Sequence, residues 1–374
     1  MNQTVEAGKT LLVDGPASVR LVSGKAEVLG FTMKHAGRMV IREGKRLPFF
    51  AAETANFDVS LGANATAEEV EGSTVPQSWV DSVEVLTGFQ KKPAVAMVLG
   101  KADSGKTSFC KYFVNRLVSA NHKVAFLDGD LGQSDIGPPC TVAYAFIAKP
   151  LMDLYDLKTR NAYFVGATSP SAAVNKTIEG MALMTAEILD IAADFVVVNT
   201  DGWVEGEKAS KYKLQLADVL EPDMVVCIQQ NNELDPIVAA MGKYRTVEVK
   251  SSSAVKQRSM ETRKNLRERN YAKYLRDAKV QVFPSNQVKI EENNGLPRRQ
   301  GEERDWLLGL YDSHRRFLGI GVLREVDSVR KALKVLTSVS VKPSRVVFGK
   351  VQLDESLREV SGFLGENAGA EVKV

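Results

Sequence analysis

The chain has 374 residues, of which 44% are hydrophobic and 25% charged, and its formal net charge is +3. This length predicts two or three globular domains, and so small a net charge does not by itself indicate a nucleic-acid-binding protein. No apolar run of about eighteen residues occurs, so no membrane partner is expected. The scattered Cys110, Cys140 and Cys227 and the lack of a signal peptide predict buried thiols in an intracellular protein, cytoplasmic or, in a eukaryote, nuclear.

Residues 1–88 are predicted to form a sandwich-like β domain. Short apolar segments such as Thr10–Val13 and Val19–Val22 are separated by Gly or Asp turns. Their spacing of roughly ten residues is typical of a small sandwich or barrel.

Residues 89–285 change to an alternation of strands and helices, which predicts an α/β domain. Helices are expected around 174–193 and 207–220. The candidate strands lack period-two alternation, as in a mostly parallel sheet that is covered on both faces. These strands are Ala94–Leu99, Val124–Asp128, Ala162–Val165, Phe195–Thr200, Met224–Ile228 and Thr246–Val249.

Turn-forming residues then predict a linker to a small C-terminal domain. They are Pro284, Asn286, Asn293, Asn294, Gly295 and Pro297. Residues 286–374 are mixed in character and predict an α+β or β-rich domain.

The segment Gly100–Thr107 matches the phosphate-binding loop pattern of P-loop proteins. It lies between a buried apolar strand and an amphipathic helix, the context that such a loop requires. We therefore predict an ATP site in which backbone N–H groups wrap the phosphates, Lys106 reaches the β- and γ-phosphates and Thr107 binds Mg²⁺. The predicted nucleotide-binding residues are Gly100, Asp103, Ser104, Gly105, Lys106, Thr107 and Ser108.

Asp128 and Asp130 follow the next strand, at the edge of the sheet where ligands bind. One carboxylate can help Thr107 to organise Mg²⁺, and the other can accept a proton from an incoming hydroxyl. Acidic residues flanking a glycine are also common in turns. Thr200–Trp203 ends a further strand, and its tryptophan is either a core anchor or a platform on which a base stacks.

The segment 251–279 is a predicted helix with nine basic and three acidic residues, a net charge of +6. Arg263 and Arg267 are four residues apart and share one helix face. Two guanidinium groups can grip phosphates, so the segment is predicted to be a mobile lid, although most charged runs are solvated helix faces.

These elements, in this order, resemble the polynucleotide 5′-hydroxyl kinases, a family that includes archaeal RNA kinases, the kinase-like subunit of pre-mRNA cleavage factor and rRNA-processing kinases. The resemblance implies a P-loop NTPase core flanked by a β-rich N-terminal and a small C-terminal domain. It implies transfer of the γ-phosphoryl of ATP to the 5′-OH of RNA, with DNA as a further acceptor, and RNA-processing proteins as partners. In the family pattern Asp130 is the general base and the lid arginines, Arg263 and Arg267, approach the transferring phosphate. The acceptor strand is held by Gln133, Thr200, Gly202 and Trp203.

Two other functions remain open from the sequence. A dimeric P-loop ATPase switch would use Lys101 on its partner's nucleotide, although the Gly-Gly usual after that lysine is here Ala102-Asp103. An ATP-binding scaffold of an RNA-processing complex would keep the nucleotide without transferring phosphate. The natural acceptor, the choice of RNA or DNA and of ATP or GTP, and the oligomeric state also stay open.

Overall fold

The computed structural model describes residues 1–291, 304–327 and 329–360. Its N-terminal part is a sandwich of two antiparallel sheets with the strand orders β1-β8-β3-β6 and β5-β4-β7-β2-β9. Buried side chains alternate with more exposed ones along β6 and most of β3 and β8, and buried residues of both sheets form one core. The strands are β1 (Asn2–Val5), β2 (Lys9–Asp14), β3 (Ala17–Ser23), β4 (Ala26–Val28), β5 (Phe31–Thr32), β6 (Arg38–Ile41), β7 (Arg46–Ala51), β8 (Ala55–Leu61) and β9 (Ala67–Glu71).

The central part is a seven-stranded sheet of order β13-β12-β11-β14-β10-β15-β16 with helices on both faces. Its elements are α1 (Gln77–Thr87), β10 (Ala94–Gly100), α2 (Lys106–Ser119), β11 (Val124–Asp128), β12 (Thr141–Ile147), β13 (Asn161–Phe164), α3 (Val174–Leu189), β14 (Phe195–Asn199), α4 (Glu207–Leu220), β15 (Met224–Gln229), α5 (Asp235–Ala240), β16 (Thr246–Lys250) and α6 (Met260–Tyr274).

Five neighbouring strands pair in parallel, which confirms the predicted P-loop core. In their order in the sheet they are β11, β14, β10, β15 and β16. Every residue of β10, β11 and β14 is buried, in agreement with their unbroken apolar sequences. The edge differs from a fully parallel sheet, because β12 and β13 run antiparallel. Strand β12 was not predicted, and β13 is the predicted strand Ala162–Val165.

The prediction of β structure up to residue 88 is wrong at its end, where α1 forms. Trp79 of this helix is fully buried against Phe109 of α2, with ring centroids 5.3 Å apart, and its Nε1 donates to the carbonyl of Lys250. The helix therefore belongs to the core of the central sheet, a contact that joins residues far apart in the sequence.

The C-terminal part is a six-stranded sheet of order β17-β21-β20-β19-β22-β18. Gly309 and Gly349 allow it to pack on the central part, since a Cβ at Gly309 would lie 2.5 Å from the Phe164 ring. The predicted linker is wrong at Pro284, which ends a paired strand, while Asn293, Asn294, Gly295 and Pro297 lie outside the described residues. The strands are β17 (Lys279–Pro284), β18 (Lys289–Glu291), β19 (Trp306–Tyr311), β20 (Phe317–Asp327), β21 (Ala332–Thr337) and β22 (Arg345–Gln352).

The predicted free thiols are confirmed, because Cys110, Cys140 and Cys227 are unbridged and buried. Among the helices of the described residues, none combines the length and apolarity that a membrane crossing needs.

Candidate active site

A cavity of about 250 Å³ opens where β10, β11 and β14 end. These strands are parallel neighbours, so the segments that follow them meet at one edge of the sheet. Most of the predicted site residues line the cavity, namely Asp103, Gly105, Lys106, Thr107, Ser108, Asp130, Gln133, Gly202, Trp203, Arg263 and Arg267. Gly100, Ser104, Asp128 and Thr200 do not line it and lie behind its wall.

The phosphate-binding loop has the backbone that a phosphate cradle requires. Gly105, at the N-terminus of α2, has a φ of +97°, and Asp103 has a φ of +57°. Lys106 is buried and its Nζ donates to the carbonyls of Gly100 and Lys101, at 2.8 Å each. Burial lowers the pKa of Lys106 to about 8. Ser104 Oγ is buried, has no hydrogen-bond partner among the described residues and packs against Gly100, so it does not face the cavity.

Asp128 lies beneath the cavity and organises the loop above it. Its carboxylate accepts hydrogen bonds from Asn199 Nδ2, Ser134 Oγ and the backbone N–H groups of Asp130 and Asp135. Burial and the nearby carboxylates of Asp135 and Asp130 raise its pKa to about 7, against the lowering effect of these donors. The role of Asp128 at the metal, where it would help through water, stays a prediction; the side chain is fully buried and both of its oxygens accept hydrogen bonds.

Asp130 lines the cavity and is held in place by its own loop. Its Oδ1 accepts from the N–H groups of Gly132, at 3.1 Å, and Gln133, at 3.0 Å. In the described part of the chain no hydrogen bond to Oδ2 is recorded, so this oxygen can accept a proton from a ligand. Burial raises the pKa of Asp130, and Lys106 opposes that shift.

The segment Thr200–Trp203 packs on the phosphate-binding loop. Thr200 Oγ1 donates to the carbonyl of Val98, so this side chain faces the sheet rather than the cavity. Gly202 touches the loop, because a Cβ there would lie 2.6 Å from the backbone nitrogen of Ala102. Trp203 is half-buried and stacks on Tyr212 with ring centroids 5.6 Å apart. It therefore anchors in the core and still lines the cavity.

A buried ion pair supports this segment from below. Lys213 Nζ donates to Asp201 Oδ2 at 2.8 Å, and the lysine side chain is fully buried. Asp201 also accepts from Tyr212 OH and from the N–H of Trp203. The sequence analysis did not select Asp201 as a site residue, although it lies inside the quoted motif and lines the cavity.

The basic segment lies across the phosphate-binding loop. Helix α6 is capped by Ser259, whose Oγ accepts from the N–H of Thr262. Arg263 Nη2 donates to Asp103 Oδ2 at 2.6 Å, and Gln133 Nε2 donates to the Arg263 carbonyl. Arg267 pairs with Glu359 of the C-terminal part. Both predicted arginines thus reach the cavity, and the mobility of the segment stays a prediction.

The cavity wall also contains one arginine that the sequence analysis missed. Arg258 comes from the basic segment, and its N–H donates to Asp103 Oδ2 at 2.9 Å. Its position within a run of positive charge could have indicated a site residue. It was not selected because it lies outside the Arg-x-x-x-Arg pair. The turn at residues 168–170 completes the wall.

The arrangement suits Mg²⁺ held mainly by a nucleotide. No group of three or more His, Cys, Asp or Glu side chains among the described residues is placed to hold a metal alone. Magnesium is usually bound by one or two protein oxygens together with substrate phosphates and water. Thr107 and Asp130 are the predicted ligands that line the cavity.

Comparisons with known proteins agree with this geometry. Residues 100–277 match the family model described as mRNA cleavage and polyadenylation factor CLP1 P-loop. A protein of Pyrococcus horikoshii named polyribonucleotide 5′-hydroxyl-kinase is 29% identical over 76% of this chain and 93% of its own length. One of the same name from Methanocaldococcus jannaschii is 25% identical over 76% of this chain and 94% of its own.

The fold is also that of a solved structure. The wild-type Clp1p–Pcf11p (454–563) complex contains a chain that matches with a TM-score of 0.78 at 12% identity, over 94% of this chain and 97% of that one. A CLP1 homologue of Brugia malayi is 26% identical over 71% of this chain and 65% of its own length. The family resemblance seen in the sequence is confirmed by the match of residues 100–277 to the CLP1 P-loop model and by the names of these relatives.

Proposed function

We propose that this protein is an ATP-dependent polynucleotide 5′-hydroxyl kinase that transfers the γ-phosphoryl of ATP to the 5′-OH end of RNA. The proposal depends above all on the convergence of Lys106, Asp130, Arg263 and Arg267 around one cavity. The names of its archaeal relatives support the same activity.

The nucleotide phosphates are held by the loop and by Lys106. The free N–H groups at the start of α2 form a binding site for the phosphates. When ATP binds, Lys106 exchanges its two carbonyl acceptors for phosphate oxygens. Thr107 would hold Mg²⁺, with Asp128 or Asp130 helping through water, and the bound ion would neutralise charge on the phosphates. A smaller cavity of about 70 Å³ shares Thr107, Ser108 and Arg258 and is lined by N-terminal residues, which supports contact between the nucleoside and that part of the chain.

The acceptor end lies between Trp203 and Gln133. The exposed part of the Trp203 ring offers a surface on which the terminal base stacks. Asp130 accepts the proton of the 5′-hydroxyl, since its Oδ1 is fixed by two N–H donors and its raised pKa makes it a better base than an exposed aspartate.

Arg263 and Arg267 stabilise the charge on the phosphoryl group during transfer. An arginine in this role contributes about 10³–10⁵ in rate. Together with the rest of α6 they cover the cavity and exclude water, which favours the hydroxyl acceptor over hydrolysis.

The observed partner of Lys101 argues against a dimeric switch. Its Nζ lies 2.6 Å from Glu205 in a solvent-exposed ion pair, so the lysine has a carboxylate partner within its own chain. Protein partners are proposed because a structure of a relative contains Clp1p bound to Pcf11p.

The test is incubation of the purified protein with γ-labelled ATP and matched RNA and DNA oligonucleotides that carry a 5′-OH. Label on the oligonucleotide is expected, and comparison of the two acceptors ranks RNA against DNA. Label only in free phosphate would indicate an ATPase, and unchanged bound ATP would indicate a scaffold.

The variant Asp130→Asn tests the base. It keeps an oxygen for the Gly132 and Gln133 N–H groups, so we expect transfer to fall by about 10²–10⁴ while ATP binding stays nearly unchanged. Asp58→Asn, which alters a surface ion pair with Arg20, is the control. Full transfer by Asp130→Asn would remove Asp130 from this role.

A further inference from the structure

The guanidinium of Arg267 is held along one edge by a carboxylate from the C-terminal part of the chain. Its Nε and Nη2 donate to Glu359 Oε1 and Oε2 at 2.8 and 2.7 Å. The side chains are 15% and 10% exposed, so this ion pair is largely withdrawn from solvent. Parallel bonds of this kind fix the orientation of the guanidinium plane as well as its position.

Glu359 is itself fixed by contacts that do not involve Arg267. Its backbone N–H donates to Glu268 Oε1 at 3.0 Å, and the hydroxyl of Tyr271 donates to Oε1 at 3.3 Å. Tyr271 is fully buried. Glu359 also bridges to Leu353, which follows strand β22. The carboxylate is therefore a rigid support for the arginine.

The opposite edge of the guanidinium is not used by this pair. Arginine carries further N–H donors on Nη1, and Arg267 and Asp130 both line the cavity. A guanidinium with one edge bound to protein and the other turned to a ligand loses little freedom when the ligand arrives. Arg263 differs, since it makes one short contact to Asp103 and its side chain is 29% exposed.

We propose that Glu359 is a positioning residue for phosphoryl transfer, which holds Arg267 so that its free edge meets the transferring group. The proposal rests on the kinase function proposed above. It makes the reaction depend on the C-terminal part of the chain, although that part contributes no predicted residue to the cavity.

The test is steady-state kinetics of Glu359→Gln in the full chain with ATP and a 5′-OH RNA. We expect kcat to fall by about 10–100-fold, as misplacement by about 1 Å can do, while KM for both substrates changes by less than about threefold. Glu359→Asp, which keeps the charge but retracts the carboxylate, should lose less. A folded variant of either kind with wild-type kcat overturns the proposal, as does a higher kcat, which would mean that Glu359 withholds Arg267 from the phosphate.

A double-mutant cycle separates positioning from general loss of structure. If Glu359 acts through Arg267, then Glu359→Gln has less than about a twofold further effect on kcat in an Arg267→Gln background. Independent, multiplicative effects would contradict the proposal. Asp58→Asn, at an exposed ion pair of the N-terminal part, is the control. Absence of transfer by the wild-type protein would instead count against the kinase function itself.

Discussion

Asp103 Oδ2 accepts a hydrogen bond from Arg263 Nη2 at 2.6 Å, and this contact joins the phosphate-binding loop to the helix that covers it. The same oxygen accepts from the N–H of Arg258. A carboxylate in this position repels phosphates and competes with them for Arg263. The contribution of Asp103 to nucleotide binding must therefore come from its backbone, while its side chain holds the basic segment in place.

Asp103→Asn should tighten ATP binding, by about tenfold or about 1.4 kcal/mol, because it removes both the repulsion and the competitor. Asparagine tolerates the left-handed backbone at this position, so the loop keeps its shape. Isothermal titration with ATP measures the change. Glu205→Gln is the control, since it removes an exposed carboxylate that pairs with Lys101. Weaker binding by Asp103→Asn would show that the docked segment matters more than the repulsion.

ATP binding should depend on the charge of Lys106. The pKa of this lysine is lowered to about 8, so its ammonium form is present below that pH and is lost as the pH rises through it. We expect the dissociation constant for ATP to be nearly constant below about pH 8 and to increase above it. Titrations over this range check the effect. In Lys106→Met the dependence near pH 8 should vanish, and its persistence would assign it to another group.

The rate of transfer should fall on the acidic side because Asp130 must be ionised to accept a proton. Burial raises the pKa of Asp130, so the rate should begin to fall at a higher pH than it would with an exposed aspartate. The profile of kcat/KM against pH measures this fall. A profile that is flat down to about pH 4, the pKa of an ordinary aspartate, would contradict the assignment of Asp130 as the base.

Asp128→Ala should destabilise the fold by about 3 kcal/mol or more, since it leaves buried donors such as Asn199 Nδ2 and Ser134 Oγ without an acceptor. Urea unfolding measures the loss. Asp58→Ala, at a surface ion pair, should change stability by less than about 1 kcal/mol. If Asp128→Ala unfolds like the wild type but binds Mg²⁺–ATP poorly, then Asp128 acts on the ligand rather than on the loop.

Gly202→Ala should disturb the contact between the phosphate-binding loop and the Thr200–Trp203 segment. The added Cβ would lie 2.6 Å from a backbone atom of Ala102, which cannot give way as a flexible side chain can. We expect a loss of about 1–3 kcal/mol in stability and of about tenfold in transfer. Gly242→Ala is the matched control, because the nearest atom to its Cβ would be 3.8 Å away. Equal behaviour of the two variants would contradict the close packing.

The sequence predicted local strands, loops and helices wherever their formation depends on residues that are neighbours along the chain. The apolar run before Gly100 predicts a buried strand, and the glycine spacing that follows predicts the loop. These features led to the parallel core, and the motif order led to the family. Helix α1 was not predicted, because Trp79 packs on α2 and donates a hydrogen bond to β16. Nothing in the short segment itself indicates that it packs in the core of the central sheet.

Only the tertiary structure decided which side chains are buried, which line the cavity and which partners they contact. Asp128 and Asp130 look alike in the sequence, yet one is buried under four donors and the other lines the cavity. Arg263 and Arg267 share a helix face, but their carboxylate partners come from opposite ends of the chain, Asp103 and Glu359. Sequence spacing determines local conformation and the direction of side chains on one element. Burial and pairing between distant segments depend on how the three parts of the chain pack, and only the folded structure contains that information.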